Sequence, residues 1–203
     1  MAQYFKIHPD NPQKRLIGQA VAILRQGGVI AYPTDSCYAL GCRLDDRESE
    51  QRINRIRNLE KDHLFTILCR DLSGLGTLAK LDNSAFRLIK SYIPGPYTFI
   101  LRASREVPKR LHDLKRKTIG LRVPDNRICQ DLLEALDEPI LSTSLILPGH
   151  EYPETDPVNI EDELGKLIDL IIDGGSIGME ETTVIDLSEG VTNIVRMGKG
   201  TVR

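Results

Sequence analysis

Gly28-Val29-Ile30-Ala31 runs into Tyr32-Pro33-Thr34-Asp35-Ser36-Cys37-Tyr38-Ala39-Leu40-Gly41. An apolar, strand-like run delivers a rigid proline turn, a threonine, a carboxylate, a serine and an aromatic ring, and a charged, helix-like segment follows. In open α/β sheets, small ligands bind outside the carboxyl ends of strands. The stretch therefore fits a small-molecule site at a strand end.

Outward from it, strands and helices alternate. Asn11-Pro12 opens a helix with Leu16, Ala20, Val21 and Leu24 on one side, closed by Gly27-Gly28. Residues Asp46 to Asn58 read as a second helix, with Ile53 and Ile56 inward and Arg52, Arg55 and Arg57 largely outward. Phe65 to Cys69 is a short apolar strand and Ser84 to Ser91 a helix; Ile93-Pro94-Gly95-Pro96 breaks it before a strand over Tyr97 to Arg102. Thr118-Ile119-Gly120-Leu121-Arg122-Val123-Pro124 is another strand ending in a proline turn, Ile128 to Leu136 an amphipathic helix and Pro139 to Ser142 a buried strand. A short acidic helix, Asn159 to Lys166, precedes strands at Ile168 to Ile172, Thr183 to Leu187 and Asn193 to Arg196. The pattern predicts a single α/β domain over residues 1 to 203, built on one twisted mixed sheet with flanking helices. The late strands pair partly antiparallel, because Ser188 to Thr192 is too short for a crossover.

Apolar residues make up 40% and charged residues 28%, which places the chain among globular proteins. No apolar run approaches a membrane span, and the N-terminus lacks a signal-like apolar segment, so the expected location is cytoplasmic and no membrane partner is expected. Cys37, Cys42, Cys69 and Cys129 match no zinc or thioredoxin-like spacing and read as reduced thiols. Cys37 is a candidate nucleophile by its place in the opening motif, or else a small side chain packed behind the turn. The net charge of −2 hides an asymmetry: residues 102 to 122 carry a net +6, residues 150 to 190 a net −11.

No Walker loop or dinucleotide fingerprint occurs, so a nucleotide would need another phosphate cradle. Three strand-end clusters offer one: Thr34 to Tyr38, Leu141 to Ser144, and Thr182 to Asp186. Their hydroxyls have a second reading as turn residues that satisfy backbone groups. Arg57, Arg122 and Arg196 are the cations placed to close a pocket around phosphate or carboxylate. The basic run with Lys109, Arg110, Lys115, Arg116 and Lys117 reads as an RNA-facing surface or as a solvated loop. It has no interleaved aromatics for stacking on single strands, whereas double-stranded RNA is recognised by shape and backbone. Asp35 and His63 are candidate bases; nothing fixes a catalytic residue, and no carboxylate cluster predicts a metal site.

Taken together, the motifs resemble the YrdC/YciO family, which is related to threonylcarbamoyl-adenylate synthases, and are most similar to its YciO-like branch. The matching residues are Tyr32 to Gly41, Pro94-Gly95-Pro96-Tyr97-Thr98, Ile119 to Pro124, Ser142-Thr143-Ser144 and Thr182 to Leu187, and with Arg196 they cover roughly residues 12 to 198. The resemblance implies a YrdC/RibB-like fold with a positively charged concave face, and binding of double-stranded RNA and nucleotide. For the synthase branch it implies that ATP, bicarbonate and threonine give threonylcarbamoyl-adenylate for tRNA modification, with Mg2+ entering on ATP and no tightly bound cofactor. By the same resemblance Thr34, Tyr38 and Thr183 lie near a threonine pocket, Arg122 anchors an anionic group, and Arg57, Ser142, Ser144 and Arg196 line the nucleotide side. Two positions depart from the synthases. Arg57-Asn58-Leu59 stands where they carry Lys-x-Arg, and Leu145-Ile146 where they carry Ala-Asn.

Overall fold

The computed structural model describes residues 1–60 and 63–202. Strand β1 (Gln3–Lys6) leads into helix α1 (Lys14–Arg25), whose buried Ile17, Ala20, Val21 and Leu24 recur at helical spacing. At Gly28 the chain passes so close to the end of α1 that a Cβ would lie 2.4 Å from the Ile23 side chain. Strand β2 (Ile30–Tyr32) is wholly buried. The motif after it does not lead straight into a helix: Ala39–Arg43 first forms β3, antiparallel to β2. Helix α2 (Arg47–Arg57) begins where the Asp46 carboxylate accepts from the Ser49 amide and ends at Asn58, which takes the left-handed conformation (φ 51°).

Strand β4 (Thr66–Leu68), helix α3 (Leu72–Leu78), helix α4 (Asn83–Tyr92) and strand β5 (Tyr97–Arg102) follow. Asp71 and Asp82 cap the two helices. Then come β6 (Thr118–Arg122), α5 (Arg127–Leu136), β7 (Ile140–Ser144), α6 (Pro157–Leu164), β8 (Leu170–Asp173), β9 (Thr183–Asp186) and β10 (Asn193–Arg196). The sequence pattern omits β1, β3 and α3; α3 carries Gly74 and Gly76, poor helix formers.

The ten strands form one mixed sheet in the order β1-β8-β2-β3-β7-β4-β6-β5-β9-β10. The pairs β1–β8, β8–β2, β4–β6 and β5–β9 are parallel and the others antiparallel, and β9–β10 is the antiparallel hairpin expected from its short connection. One face carries Leu40, Ile67, Phe99, Leu121, Leu141 and Ile185 in the larger core cluster. On the other face, Ile30, Tyr32, Ala39, Leu68 and Ile140 pack with the buried stripes of α1 and α5 in a second cluster. That helix pair covers only part of its face. Beyond it, over β7, β4, β6, β5 and β9, the same face bears Thr66, Thr98, Thr118, Gly120, Ser142 and Thr182 and opens into a cavity. Strand side chains alternate between faces, so this polar set is the i, i+2 complement of the core set.

Candidate functional site

The cavity has a volume of about 320 Å³, near the lower end of the ~300–1,000 Å³ typical of small-molecule pockets. Its site is a sheet face rather than the strand-end crevice that the opening motif suggests. Cross-strand register fixes the floor: Gly120 lies opposite Thr66 on one side and Ile100 on the other, and Thr66 lies opposite Ser142. A Cβ at Gly120 would come within 3.3 Å of the Thr98 methyl, so glycine keeps the floor low there. The Tyr32 hydroxyl shares a 2.6 Å hydrogen bond with Ser142 Oγ from the buried side.

Thr34 stands on the wall. Its Oγ1 donates to the Cys37 carbonyl (2.7 Å) and accepts from the Ser36 and Cys37 amides, which fixes the turn after Pro33. Arg122, the last residue of β6, donates to Thr34 Oγ1 at 3.4 Å and forms an ion pair with Asp35, whose second oxygen accepts from the Asp125 amide at 2.9 Å. The anionic partner expected at Arg122 is therefore supplied from within the chain. Arg57, at the C-terminal end of α2, donates to the Ile146 carbonyl. Burial lowers the Arg57 pKa, and the carboxylate of Glu181 opposes that shift. Among the described residues, the Nε atoms of Arg57 and Arg122 are buried side-chain donors with no hydrogen-bond partner.

Arg196, from β10, donates to the Thr182 carbonyl (3.0 Å) and pairs with Glu181 at 2.9 Å. Ser144 Oγ donates to the other Glu181 oxygen at 3.0 Å. Cys37 also faces the cavity; burial raises its thiol pKa, which leaves it a weak nucleophile despite the hydroxyl of Ser36 beside its sulfur. His63 Nε2 lies 3.2 Å from Thr143 Oγ1 at the rim.

Thr34, Arg57, Arg122, Ser142, Ser144 and Arg196 thus meet around one cavity, while two of the expected residues do not. Tyr38 precedes Ala39 and so projects to the opposite face, where its hydroxyl donates to the Gly175 carbonyl at 2.8 Å. Thr183 alternates with Thr182 in the same way; its Oγ1 accepts from the Gly198 amide and donates to the Gly200 carbonyl. Gly198 passes so near that a Cβ there would lie 2.4 Å from the Glu181 carbonyl. Thr182, not Thr183, lines the cavity, and Glu181 is the residue that the sequence reading missed. It was visible only as part of the acidic stretch, one residue before the third hydroxyl cluster. The positive charge of the cavity is partly neutralised by Asp35 and Glu181.

The basic run divides too. Arg110 is held by Glu50 (2.8 Å) and the Leu44 carbonyl, and Arg116 by Asp186 (2.7 Å) and Ser188 (2.6 Å). Lys109, Lys115 and Lys117 are exposed. Among the described residues, no group of three or more acidic, His or Cys side chains could hold a metal ion, and no helix is long and apolar enough to cross a membrane.

Residues 22–198 match the family model for Sua5, YciO and YrdC proteins, described as "Telomere recombination". The chain is 60% identical to the uncharacterized protein YciO of Escherichia coli (strain K12), over 100% of this chain and 98% of that protein. The crystal structure of E. coli YciO superposes with a TM-score of 0.96 over 100% of this chain and 98% of the other. A threonylcarbamoyl-AMP synthase of Chromobacterium violaceum is 35% identical over 90% of this chain and 94% of its own length. Pyrococcus abyssi Sua5 complexed with L-threonine matches with a TM-score of 0.88 and 29% identity over 96% of this chain, which spans 57% of that longer one. The sheet order, the polar sheet face and these similarities lead to one conclusion: the chain belongs to the Sua5/YciO/YrdC family.

Proposed function

We propose that the cavity binds a nucleotide, with Arg57, Ser142, Ser144 and Arg196 on its phosphate side and Thr34 and Arg122 against the group that the nucleotide carries. The buried, unpartnered Nε atoms of Arg57 and Arg122 carry this reading. Buried donors are almost always satisfied, and an anionic ligand rich in acceptor oxygens would satisfy both. The hydroxyl floor supplies further donors to such a ligand, and a cavity of about 320 Å³ suits a mononucleotide-sized molecule. Titration of the full chain with AMP, ATP and threonine, singly and together, tests it. Binding of AMP that Arg57→Ala weakens supports the proposal; absence of AMP and ATP binding refutes it.

The exposed Lys109, Lys115 and Lys117 support a role in contacting double-stranded RNA through its phosphates, with Arg110 and Arg116 serving mainly to fix their loops. Filter binding to double-stranded RNA across a salt series tests this, and no binding at low salt ends it. A second reading, an active threonylcarbamoyl-AMP synthase, is favoured by the 35% identity to the C. violaceum enzyme. ATP would bring Mg2+ with it, since the donors around the cavity suit phosphate and, among the described residues, form no carboxylate cage. Pyrophosphate release from ATP, threonine and bicarbonate decides it.

A further inference from the structure

Glu181 sits where an incoming anion would sit. One of its carboxylate oxygens accepts from Ser144 Oγ at 3.0 Å and the other from Arg196 at 2.9 Å. These are two of the four groups on the proposed phosphate side, and a third, Arg57, lies within reach of its charge. Among the described residues lining the cavity, the permanent charges are Arg57, Arg122, Arg196 and Glu181, and Arg122 is already paired with Asp35. Two of the three guanidinium charges are therefore balanced before any ligand arrives. Among the described residues Arg57 has only a carbonyl partner, so one guanidinium charge there has no paired carboxylate.

We infer that Glu181 is a specificity-determining residue that admits phosphate monoesters and singly charged phosphodiesters and disfavours polyphosphates. The inference rests on the nucleotide-binding reading for the identity of the natural ligand. The charge argument itself applies to any anion in this cavity. A ligand with one or two negative charges can engage Arg57 and the hydroxyl floor while Glu181 keeps Ser144 and Arg196. A longer phosphate chain must extend toward Ser144 and Arg196. It then meets the carboxylate, and each added charge increases a repulsion that the half-enclosed site screens poorly. Glu181 is anchored for this role: its backbone carbonyl accepts from the Lys199 amide, and its side chain is held at both oxygens.

Glu181→Gln removes the charge while keeping an acceptor for Ser144. The full chain and this variant are titrated calorimetrically with inorganic phosphate, pyrophosphate and tripolyphosphate. In the variant, tripolyphosphate affinity is expected to rise roughly tenfold or more and phosphate affinity less than about threefold, so the gain grows with ligand charge. Glu181→Ala, which removes the same charge by a different route, is expected to shift the series in the same direction. Equal gains along the series, no gain, or opposite behaviour of the two variants overturns the inference. AMP and ATP are titrated in parallel. AMP binding no tighter than phosphate in either protein would sink the nucleotide reading and leave the charge selection by Glu181 standing.

Discussion

The Arg122 guanidinium and the Asp35 carboxylate form an ion pair at the cavity wall in which both side chains are only 8% exposed. Asp35 also accepts from the Asp125 amide, and its backbone carbonyl accepts from Lys199 Nζ at 2.6 Å, so one residue ties together the turn after β2, the end of β6 and the C-terminal segment. Removing one partner of a buried pair leaves the other charge uncompensated, at a cost of about 3–5 kcal/mol. Asp35→Ala is therefore expected to lower unfolding free energy by roughly that amount in urea titrations. The double variant Asp35→Ala with Arg122→Met should recover part of the loss. Equal stabilities of wild type and Asp35→Ala would show that the pair does not hold this wall.

Arg57 and Ile146 belong to the two segments in which the resemblance implies a departure from the synthases, Arg57-Asn58-Leu59 and Leu145-Ile146, and the Arg57 guanidinium donates to the Ile146 carbonyl. Leu59 packs at the margin of the larger core cluster, so position 59 contributes an apolar side chain rather than a cation. Charge-assisted hydrogen bonds contribute about 1.5–3 kcal/mol, so Arg57→Ala is expected to weaken AMP binding by roughly tenfold or more. Leu59→Arg combined with Ile146→Asn restores the second cation and the amide of the synthase pattern, the amide at a residue that lines the cavity. The double variant should release pyrophosphate from ATP, threonine and bicarbonate faster than wild type; an unchanged rate would mean that these two positions do not limit the reaction.

The strands and helices that carry long apolar stripes were legible in the sequence, because burial of one face imposes a period that survives without tertiary knowledge. β5 and α5 match their expected bounds to within a residue. The cavity was legible as a set of residues but misplaced as a feature. Thr118-Ile119-Gly120-Leu121-Arg122 alternates small or polar with apolar side chains, the signature of a strand with one unpacked face. Reading it as a strand without assigning its two faces left the polar face unseen, and with it the reason that Tyr38 and Thr183 point away. Glu181 was hidden for a different cause: a charge in an acidic run carries no sign of which partner it meets until β9 and β10 are paired.

Burial dominates the behaviour of the thiols. All four cysteines are buried; desolvation pushes Cys42 and Cys69 up to about 12 and raises Cys37 and Cys129 as well. At pH 8 a thiol with a pKa near 12 is ionised in only about one molecule in ten thousand. Native protein is therefore expected to react with a thiol-specific disulfide reagent at the rate of its unfolding, and to yield all four equivalents at once in denaturant. Rapid reaction of one equivalent under native conditions, lost in Cys37→Ser, would instead identify Cys37 as an activated thiol.

Arg116 and Asp186 join the basic loop to β9, and Ser188 completes the cluster through its amide and hydroxyl. Burial alone would raise the Asp186 pKa, but the Ser188 hydrogen bonds and the Arg116 guanidinium outweigh it and hold the carboxyl below its ordinary value. A carboxyl depressed in the folded state adds stability above its unfolded pKa near 3.9, and that stability is lost as pH falls through the folded value. Arg116→Ala raises the folded pKa toward the ordinary one, so its acid-unfolding midpoint should move to higher pH than wild type. At neutral pH the loss should be at most about 1 kcal/mol, because the Arg116 side chain is 43% exposed. The same variant separates structure from RNA contact. If Lys109, Lys115 and Lys117 touch phosphates, replacing all three with Ala lowers the salt slope of RNA binding by roughly 2–3. Arg116→Ala, already committed to Asp186, should lower it by less than about 1. A larger effect from Arg116 than from the three lysines would move the RNA surface onto the loop's paired arginines.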